Sequence, residues 1–179
     1  MIFNTGMLSK SELAHYSHGS LTSLFLTRVW EECRTYKNEI SGESEMDYKT
    51  FLDFTLAIEN KRTPQALRWF FKILDIDKCG FINVETIRLF FRCVMDRMVD
   101  IDYSAADVID EIFDMVKPKR KDRITLKDLI DSGVGHTIVS ILIDVNGFWA
   151  YDNRETLIAG PLNDDGNIDN TFGNISLNH

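Results

Sequence analysis

Residues 75–86 read DIDKCGFINVET and decide the fold, because they match the twelve-residue frame of an EF-hand loop. Asp75 and Asp77 fall at positions one and three, where carboxylates bind calcium, and a glycine stands at position six, where the chain turns sharply. Phe81 at position seven would offer its backbone carbonyl, and Asn83 at position nine can bind the ion or cap the next helix. The sequence therefore predicts a calcium site built from Asp75, Asp77, Phe81 and Asn83.

The same loop lacks other ligands that calcium needs. Position twelve normally carries a Glu that gives both oxygens to the ion, but here it is Thr86. Position five is Cys79, whose soft thiol suits a hard cation badly. We therefore expect calcium binding to be weak or vestigial. The alternative is that the loop satisfies its own hydrogen bonds as a turn and binds no ion.

Amphipathic helices are predicted on both sides of this loop. Apolar residues recur at i, i+3, i+4 and i+7 over residues 63–75, where Thr63 is the N-cap and Pro64 the first helical residue. The same spacing recurs over residues 85–98. A third helix begins after Ser104 with a capping box and ends before Pro118. A helix, a loop and a helix are thus present in register, which makes the EF-hand assignment specific.

Weaker apolar periodicity predicts further helices at residues 20–33, 47–60 and 125–130. The period of residues 138–145 fits helix or strand, and we interpret them as helix. The predicted fold class is all-α, an EF-hand-like helical domain with paired, degenerate loops.

Three regions are predicted along the chain. Residues 1–60 should form a partial EF-hand pair that lacks its entering helix, and residues 61–158 a second pair. Residues 159–179 have few apolar side chains, so we expect a polar, disordered tail.

Two other segments keep parts of the EF-hand frame. In residues 1–12, Gly6, Leu8, Ser9 and Glu12 occupy positions six, eight, nine and twelve, but no carboxylate precedes Glu12. Because this sequence begins at loop position one, we expect it to be N-terminally truncated. Residues 117–128 have Lys at positions one, three and five, and three ammonium groups would repel a divalent cation. The basic residues here could form a nuclear import signal, an acidic-partner contact or simply a solvated loop.

Composition excludes several classes of function. The net charge of −8 argues against a nucleic-acid or anionic-membrane surface, and no apolar run approaches the ~18 residues of a membrane span. The three cysteines show no CxxC spacing, and no HExxH or GxSxG motif is present. We therefore predict an intracellular protein that is not an enzyme and has no small-molecule substrate.

Residues 145–155 combine aromatic and polar side chains. Phe148 and Trp149 stand beside Asp152 and Arg154, a mixture of aromatic anchors and polar rim that is typical of a protein contact. We predict that these residues bind a partner. The alternative is that Trp149 folds back to seal the end of the helical core.

Several phrases resemble the B″ class of protein phosphatase 2A regulatory subunits, in particular its gamma-type and plant microtubule-organising (TONNEAU-like) branch. They are LSKSEL at 8–13, MDYKTFLDFTLAIEN at 46–60, TPQALRWFFKILDIDKCG at 63–80, DMVKPKRKDRITLKDL at 114–129 and LIDVNGFWAYDNRE at 142–155. Together they cover most of residues 8–155.

The resemblance implies an elongated helical protein with EF-hand regions that docks on the phosphatase scaffold and catalytic subunits. It implies a non-catalytic subunit that directs the phosphatase to substrates or cytoskeletal sites. It also implies a cytoplasmic location, with the centrosome, cytoskeleton or nucleus as sites of action. The alternative function is an EF-hand calcium sensor or adaptor, which would need the Glu that Thr86 replaces.

Overall fold

The computed structural model describes residues 6–98 and 103–159. The start of the N-terminal loop and the polar tail from residue 160 onward lie outside the described residues. Helices dominate the described part and its strands are short, as the all-α prediction requires.

The helices follow the predicted ranges closely. The helices are α1 Lys10–Leu13, α2 Ser23–Glu32, α3 Tyr48–Glu59, α4 Pro64–Leu74, α5 Val84–Met95, α6 Ala105–Val116, α7 Leu126–Asp131, α8 Gly135–Ile143, α9 Val145–Asp152 and α10 Arg154–Ala159. The ambiguous apolar run at 138–145 is therefore mainly helix. The strands are β1 Met7–Ser9, β2 Tyr36–Lys37, β3 Ser44–Asp47, β4 Phe81–Asn83 and β5 Arg123–Thr125.

One local unit occurs four times within residues 6–98 and 103–159. In each copy a buried apolar residue at the strand centre precedes a polar residue whose side chain caps the helix that follows. The buried residues are Leu8, Met46, Ile82 and Ile124, which are at most 2% exposed. The capping residues are Ser9, Asp47, Asn83 and Thr125. The cap ends the strand because its side chain accepts an N–H that the first helical turn leaves unpaired.

The four units pair through their strands. Leu8 lies opposite Met46 in an antiparallel sheet whose order is β1-β3-β2. Ile82 lies opposite Ile124 in the second sheet, which joins β4 to β5. The sequence identified three of these units and missed the one at Met46 and Asp47.

An aromatic cluster joins three helices, α2, α3 and α4. The indole of Trp69 on α4 makes edge contacts with Phe25 of α2, Phe54 of α3 and its neighbour Phe70, at centroid distances of 6.4, 6.0 and 5.1 Å. All three phenylalanines are fully buried. One hydrophobic core thus includes residues from both predicted EF-hand pairs. The division of the chain at residues 60 and 61 stays a prediction.

Backbone hydrogen bonds link the start of α2 to a distant part of the chain. Thr22 N–H donates to the Ile143 carbonyl at 2.9 Å, and Val145 N–H donates to the Ser20 carbonyl at 3.0 Å. These bonds form an isolated bridge between Leu21 and Asp144. The start of α2 is therefore fixed at the junction of α8 and α9.

Among the described residues, no helix has the length and apolarity needed to span a bilayer.

Candidate functional site

The candidate calcium loop, residues 75–86, is called loop A below. Its first ligand position, Asp75, is 8% exposed and ends α4 as the C-cap residue. Both carboxylate oxygens are already used: Oδ1 accepts from the Cys79 N–H at 3.1 Å and Oδ2 from the Gly80 N–H at 2.8 Å. Gly80 has φ +81°, a left-handed conformation that favours glycine and makes the sharp turn possible. Loop A is therefore closed on Asp75.

The other predicted ligands of loop A are also engaged or exposed. The Cys79 thiol lies 3.6 Å from Asp75 Oδ1 and 3.4 Å from the Phe81 carbonyl oxygen, the two oxygens it could bond. Asn83 Oδ1 accepts from the Thr86 N–H at 2.8 Å as the cap of α5. Asp77 is exposed.

These donors do not fit a ready calcium shell. A thiol points at the oxygens that would bind the ion, and position twelve supplies no carboxylate. No group of three or more His, Cys, Asp or Glu side chains that could hold a metal occurs in the described parts of the chain. Calcium binding at Asp75, Asp77, Phe81 and Asn83 stays a prediction.

Residues 117–128, called loop B below, use their polar groups differently. The position-twelve carboxylate of Asp128 accepts from the Thr125 N–H at 3.0 Å and from the Thr125 hydroxyl at 2.6 Å, which completes a capping box for α7. Lys117, Lys119 and Lys121 are exposed. Loop B therefore uses its position-twelve carboxylate to cap α7 and places exposed lysines at positions one, three and five.

The basic residues of loop B are partly neutralised. Asp122 pairs with Arg123 at 2.8 Å and with Arg120 at 3.2 Å. Hydrogen bonds from Arg123 and then from Arg120 lower the pKa of Asp122 to about 2. Arg123 also lies 4.1 Å from the centroid of the Phe81 ring, so a cation–π contact joins loop B to loop A.

A groove of about 690 Å³ lies beside loop B, between α5 and α6. Its lining combines apolar side chains with charges of both signs. The apolar residues include Val84, Ile109 and Phe113, and the charged residues are Arg88, Lys117, Lys121, Asp110 and Asp114. The sequence did not predict this groove, because it forms only when α5 and α6 pack together.

The predicted partner-binding residues separate into two groups. Phe148 is 2% exposed and makes edge contacts with Phe91 at 5.0 Å and Tyr103 at 5.1 Å. The expectation that Phe148 lies on the surface is therefore corrected: α9 turns this ring into the core. Trp149, the next residue, turns outward and is 48% exposed.

Asp152 and Arg154 hold α9 and α10 in place. Asp152 accepts a hydrogen bond from the Tyr103 hydroxyl, which raises the pKa of Tyr103 to about 12. Arg154 lies 4.2 Å from the centroid of the Tyr151 ring and 3.4 Å from a Glu111 carboxylate oxygen. Both side chains therefore contact this chain itself, and whether they also contact a partner stays a prediction.

Sequence reasoning missed Leu157, which is 57% exposed. Backbone bonds run from Asn153 N–H to the Trp149 carbonyl and from Leu157 N–H to the Asn153 carbonyl. Trp149 and Leu157 are eight residues apart on two successive helices, a spacing that can belong to one apolar stripe of a helix. That spacing was the signal available in the sequence.

Comparison with curated proteins finds relatives that match most of this chain. A Xenopus tropicalis protein, named as the gamma form of the B″ regulatory subunits of serine/threonine-protein phosphatase 2A, is 52% identical over 171 residues, which are 94% of this chain and 37% of the relative. The chain is a homologue of the B″ regulatory subunits.

The human B″ gamma protein is 48% identical over 94% of the chain and 36% of its own length. An Arabidopsis thaliana protein, named TON2 and described as a probable regulatory subunit of the same B″ class, is 44% identical over 86% of the chain and 33% of its own length. The resemblance to the gamma-type and plant branch is therefore confirmed. The chain spans about a third of the length of these B″ relatives. No protein-family model matches it.

A solved structure shares the fold. A chain from a structure described as a PP2A PR70 holoenzyme, labelled diCa, matches with a TM-score of 0.72 and 21% identity. The match covers 82% of this chain and 54% of the PR70 structure's chain. At this identity the match shows the fold alone, and it agrees with the predicted EF-hand-like helical architecture.

Proposed function

We propose that this chain is the part of a B″-type regulatory subunit that helps to direct protein phosphatase 2A to substrates or cytoskeletal sites. The observation that carries the proposal is the 52% identity to a B″ gamma relative across 94% of the chain. The relatives are named as regulatory subunits, which supports a non-catalytic role. The partners of this function are the scaffold and catalytic subunits of the phosphatase, and its place is the cytoplasm, the centrosome, the cytoskeleton or the nucleus.

The face that carries Trp149 supports a protein contact. Trp149 and Leu157 are large apolar side chains that are each about half exposed, and Asp152 and Arg154 fix the helices beneath them. Large aromatic side chains next to fixed polar groups are common at the centre of protein interfaces. We therefore propose Trp149 as an anchor for a phosphatase subunit, with Asp152 and Arg154 as positioning residues.

Affinity capture tests the proposal directly. The tagged full chain, mixed with purified scaffold and catalytic subunits, should retain both subunits on the resin. Trp149→Ala should lower the amount retained while the melting temperature stays within a few degrees, because the side chain is half exposed. Leu89→Ala is the matched control, since Leu89 is 45% exposed on α5.

Three results would contradict this assignment in whole or in part. Failure of the unmodified chain to retain either subunit would overturn the regulatory function. Unchanged retention by a folded Trp149→Ala variant would remove only the anchor. A fall in stability of about 3–5 kcal/mol would show instead that Trp149 is a core residue.

The second candidate function is a calcium sensor or adaptor. It is favoured by the EF-hand frame of loop A and by the label diCa on the PR70 structure that shares the fold. We propose that calcium binding by this chain is weak, because the Cys79 thiol and the missing carboxylate at Thr86 leave the oxygen shell incomplete. Titration calorimetry at low salt should detect no site tighter than ~10 µM. A submicromolar site that Asp75→Ala abolishes would favour the sensor instead.

A further inference from the structure

The C-terminal ends of α2 and α4 meet, and each caps the other. The Lys72 ammonium on α4 donates to the Glu32 carbonyl at the end of α2 at 2.5 Å. The Arg28 guanidinium on α2 donates through Nε to the Ile73 carbonyl near the end of α4 at 3.3 Å. The last carbonyls of a helix lack partners within the helix and attract positive charge. Each cation therefore stabilises the end of the other helix.

A carboxylate at the same place reaches into loop A. Glu32 Oε1 accepts from Arg28 Nη2 at 3.0 Å and from Lys78 Nζ at 3.0 Å. The side chains of Arg28 and Glu32 are only 10% and 8% exposed, whereas that of Lys78 is 70% exposed. The hydrogen bond from Lys78 is the largest influence that lowers the pKa of Glu32. Arg28, Glu32, Lys72 and Lys78 are called the junction cluster below.

Lys78 connects the junction cluster to loop A. Lys78 is loop position four, between Asp77 and Cys79, and its φ of +53° puts the backbone in the left-handed region, which a non-glycine residue seldom adopts. This strained residue lies within loop A's closed turn, and its ammonium is held by a side chain from α2. A turn strained in this way persists only when surrounding contacts hold it.

We propose that the junction cluster is a latch: α2 holds loop A closed through Glu32 and Lys78, so that release of the Asp75 carboxylate from the Cys79 and Gly80 amides depends on the end of α2. Opening of loop A requires the Glu32–Lys78 contact to break, and a change at the end of α2 reaches loop A through the same contact. Because coupling between two sites is reciprocal, removal of Lys78 also loosens the last turn of α2. The latch is independent of the phosphatase partner and of calcium.

Amide hydrogen exchange of the full chain, read residue by residue by NMR, tests the latch. The reporters are the Cys79 and Gly80 amides, which donate to Asp75 when loop A is closed. Glu32→Gln should speed exchange at both amides about three- to tenfold while the α5 and α8 core amides change little. Glu31→Gln is the matched control, because Glu31 also bonds Arg28, at 2.6 Å, but does not bridge to loop A.

The reciprocal variant is Lys78→Met, which removes the exposed arm of the latch. It should speed exchange at the Cys33 amide, which closes the last turn of α2 by donating to the Val29 carbonyl at 2.9 Å. Lys127→Met is its control, since Lys127 is 69% exposed and pairs with Asp131 within α7. The latch would be overturned if, in Glu32→Gln, amide exchange became faster by the same factor throughout the chain. It would also be overturned if the exchange rates of the Cys79 and Gly80 amides did not change. If Glu32→Gln does not fold, Lys78→Met decides: an unchanged Cys33 amide rejects the proposal.

Discussion

Loops A and B pair through one two-stranded sheet and have the same backbone arrangement, but their carboxylates make different hydrogen bonds. Both place a buried isoleucine at position eight and a capping residue at position nine. In loop A the position-one carboxylate of Asp75 accepts hydrogen bonds from the backbone N–H groups of Cys79 and Gly80 in the same turn. In loop B the position-twelve carboxylate of Asp128 caps a helix, and lysines occupy the early positions.

Loops A and B thus share one EF-hand backbone frame although the side chains at their ligand positions differ. A strand pair, two caps and two buried side chains reproduce the geometry when the ligand set is incomplete or replaced by cations. The predictions below separate the contribution of the frame from that of the ligands, starting with the largest expected effect.

Removal of either strand-centre side chain should damage both loops equally. Ile82→Ala and Ile124→Ala should each cost about 2–5 kcal/mol in the free energy of unfolding, because the two side chains are 2% and 1% exposed and pack together. Urea titration followed by circular dichroism measures the loss. Ile40→Ala, at a residue that is 99% exposed, should change stability by less than about 0.5 kcal/mol. Unequal costs at 82 and 124 would show that one loop governs the frame.

Restored ligands should make loop A bind calcium. The double variant Cys79→Asp with Thr86→Glu supplies carboxylates at positions five and twelve of an existing turn. At calcium concentrations about 100 times the dissociation constant, linkage predicts a stabilisation of about 2.7 kcal/mol, seen as a calcium-dependent rise in melting temperature. In loop B, Asp128→Glu should give no such rise, because lysines remain at positions one, three and five. Equal behaviour of the two variants would contradict the assigned register.

Loss of a cap should cost less than loss of a strand centre. Asn83→Ala and Thr125→Ala should each lower the free energy of unfolding by about 1 kcal/mol, because each leaves an N–H of the first helical turn without its side-chain acceptor. Differential scanning calorimetry measures both. Thr55→Ala is the control, since the Thr55 hydroxyl donates to the Phe51 carbonyl within the body of α3, away from either end of the helix. A loss at Thr55 as large as at the caps would make the effect non-specific.

The smallest effect should come from acid titration of loop B. The pKa of Asp122 is about 2 in the folded chain, below its ordinary value of 3.8. A depressed pKa stabilises the fold above the unfolded value, and this contribution is lost as pH falls from about 4 to about 2. Asp122→Asn should slightly reduce the fall in melting temperature over that range. Because Asp122 is exposed, salt should weaken the effect; a variant with the same pH profile as the unmodified chain would show that the ion pairs contribute nothing.

Much of the fold could be predicted because its signals are local. Thr63 and Pro64 mark the start of α4, and Ser104 marks α6, since a cap and the apolar period act within a single turn. The unit at Met46 and Asp47 was missed because the short strand pair β2–β3 precedes it, so no uninterrupted twelve-residue frame is visible in the sequence.

The candidate site was less predictable, because side-chain directions depend on packing between distant helices. Neighbouring aromatics Phe148 and Trp149 looked equivalent in the sequence, but α9 turns the first toward Phe91 and the second toward solvent. The contact between Glu32 and Lys78 joins residues far apart in the chain. Spacing along one segment carries no information about such contacts.

The indole of Trp69 has a consequence for spectroscopy. Its ring contacts residues of α2, α3 and α4 in one fixed, asymmetric arrangement. The Trp69 contribution to near-ultraviolet circular dichroism, isolated by comparison with a Trp69→Phe variant, should therefore report on the packing of these three helices. A variant that kept its far-ultraviolet helical signal and lost this band would be a compact state without specific packing. The band can thus distinguish a loosened core from a lost partner contact before any binding experiment is interpreted.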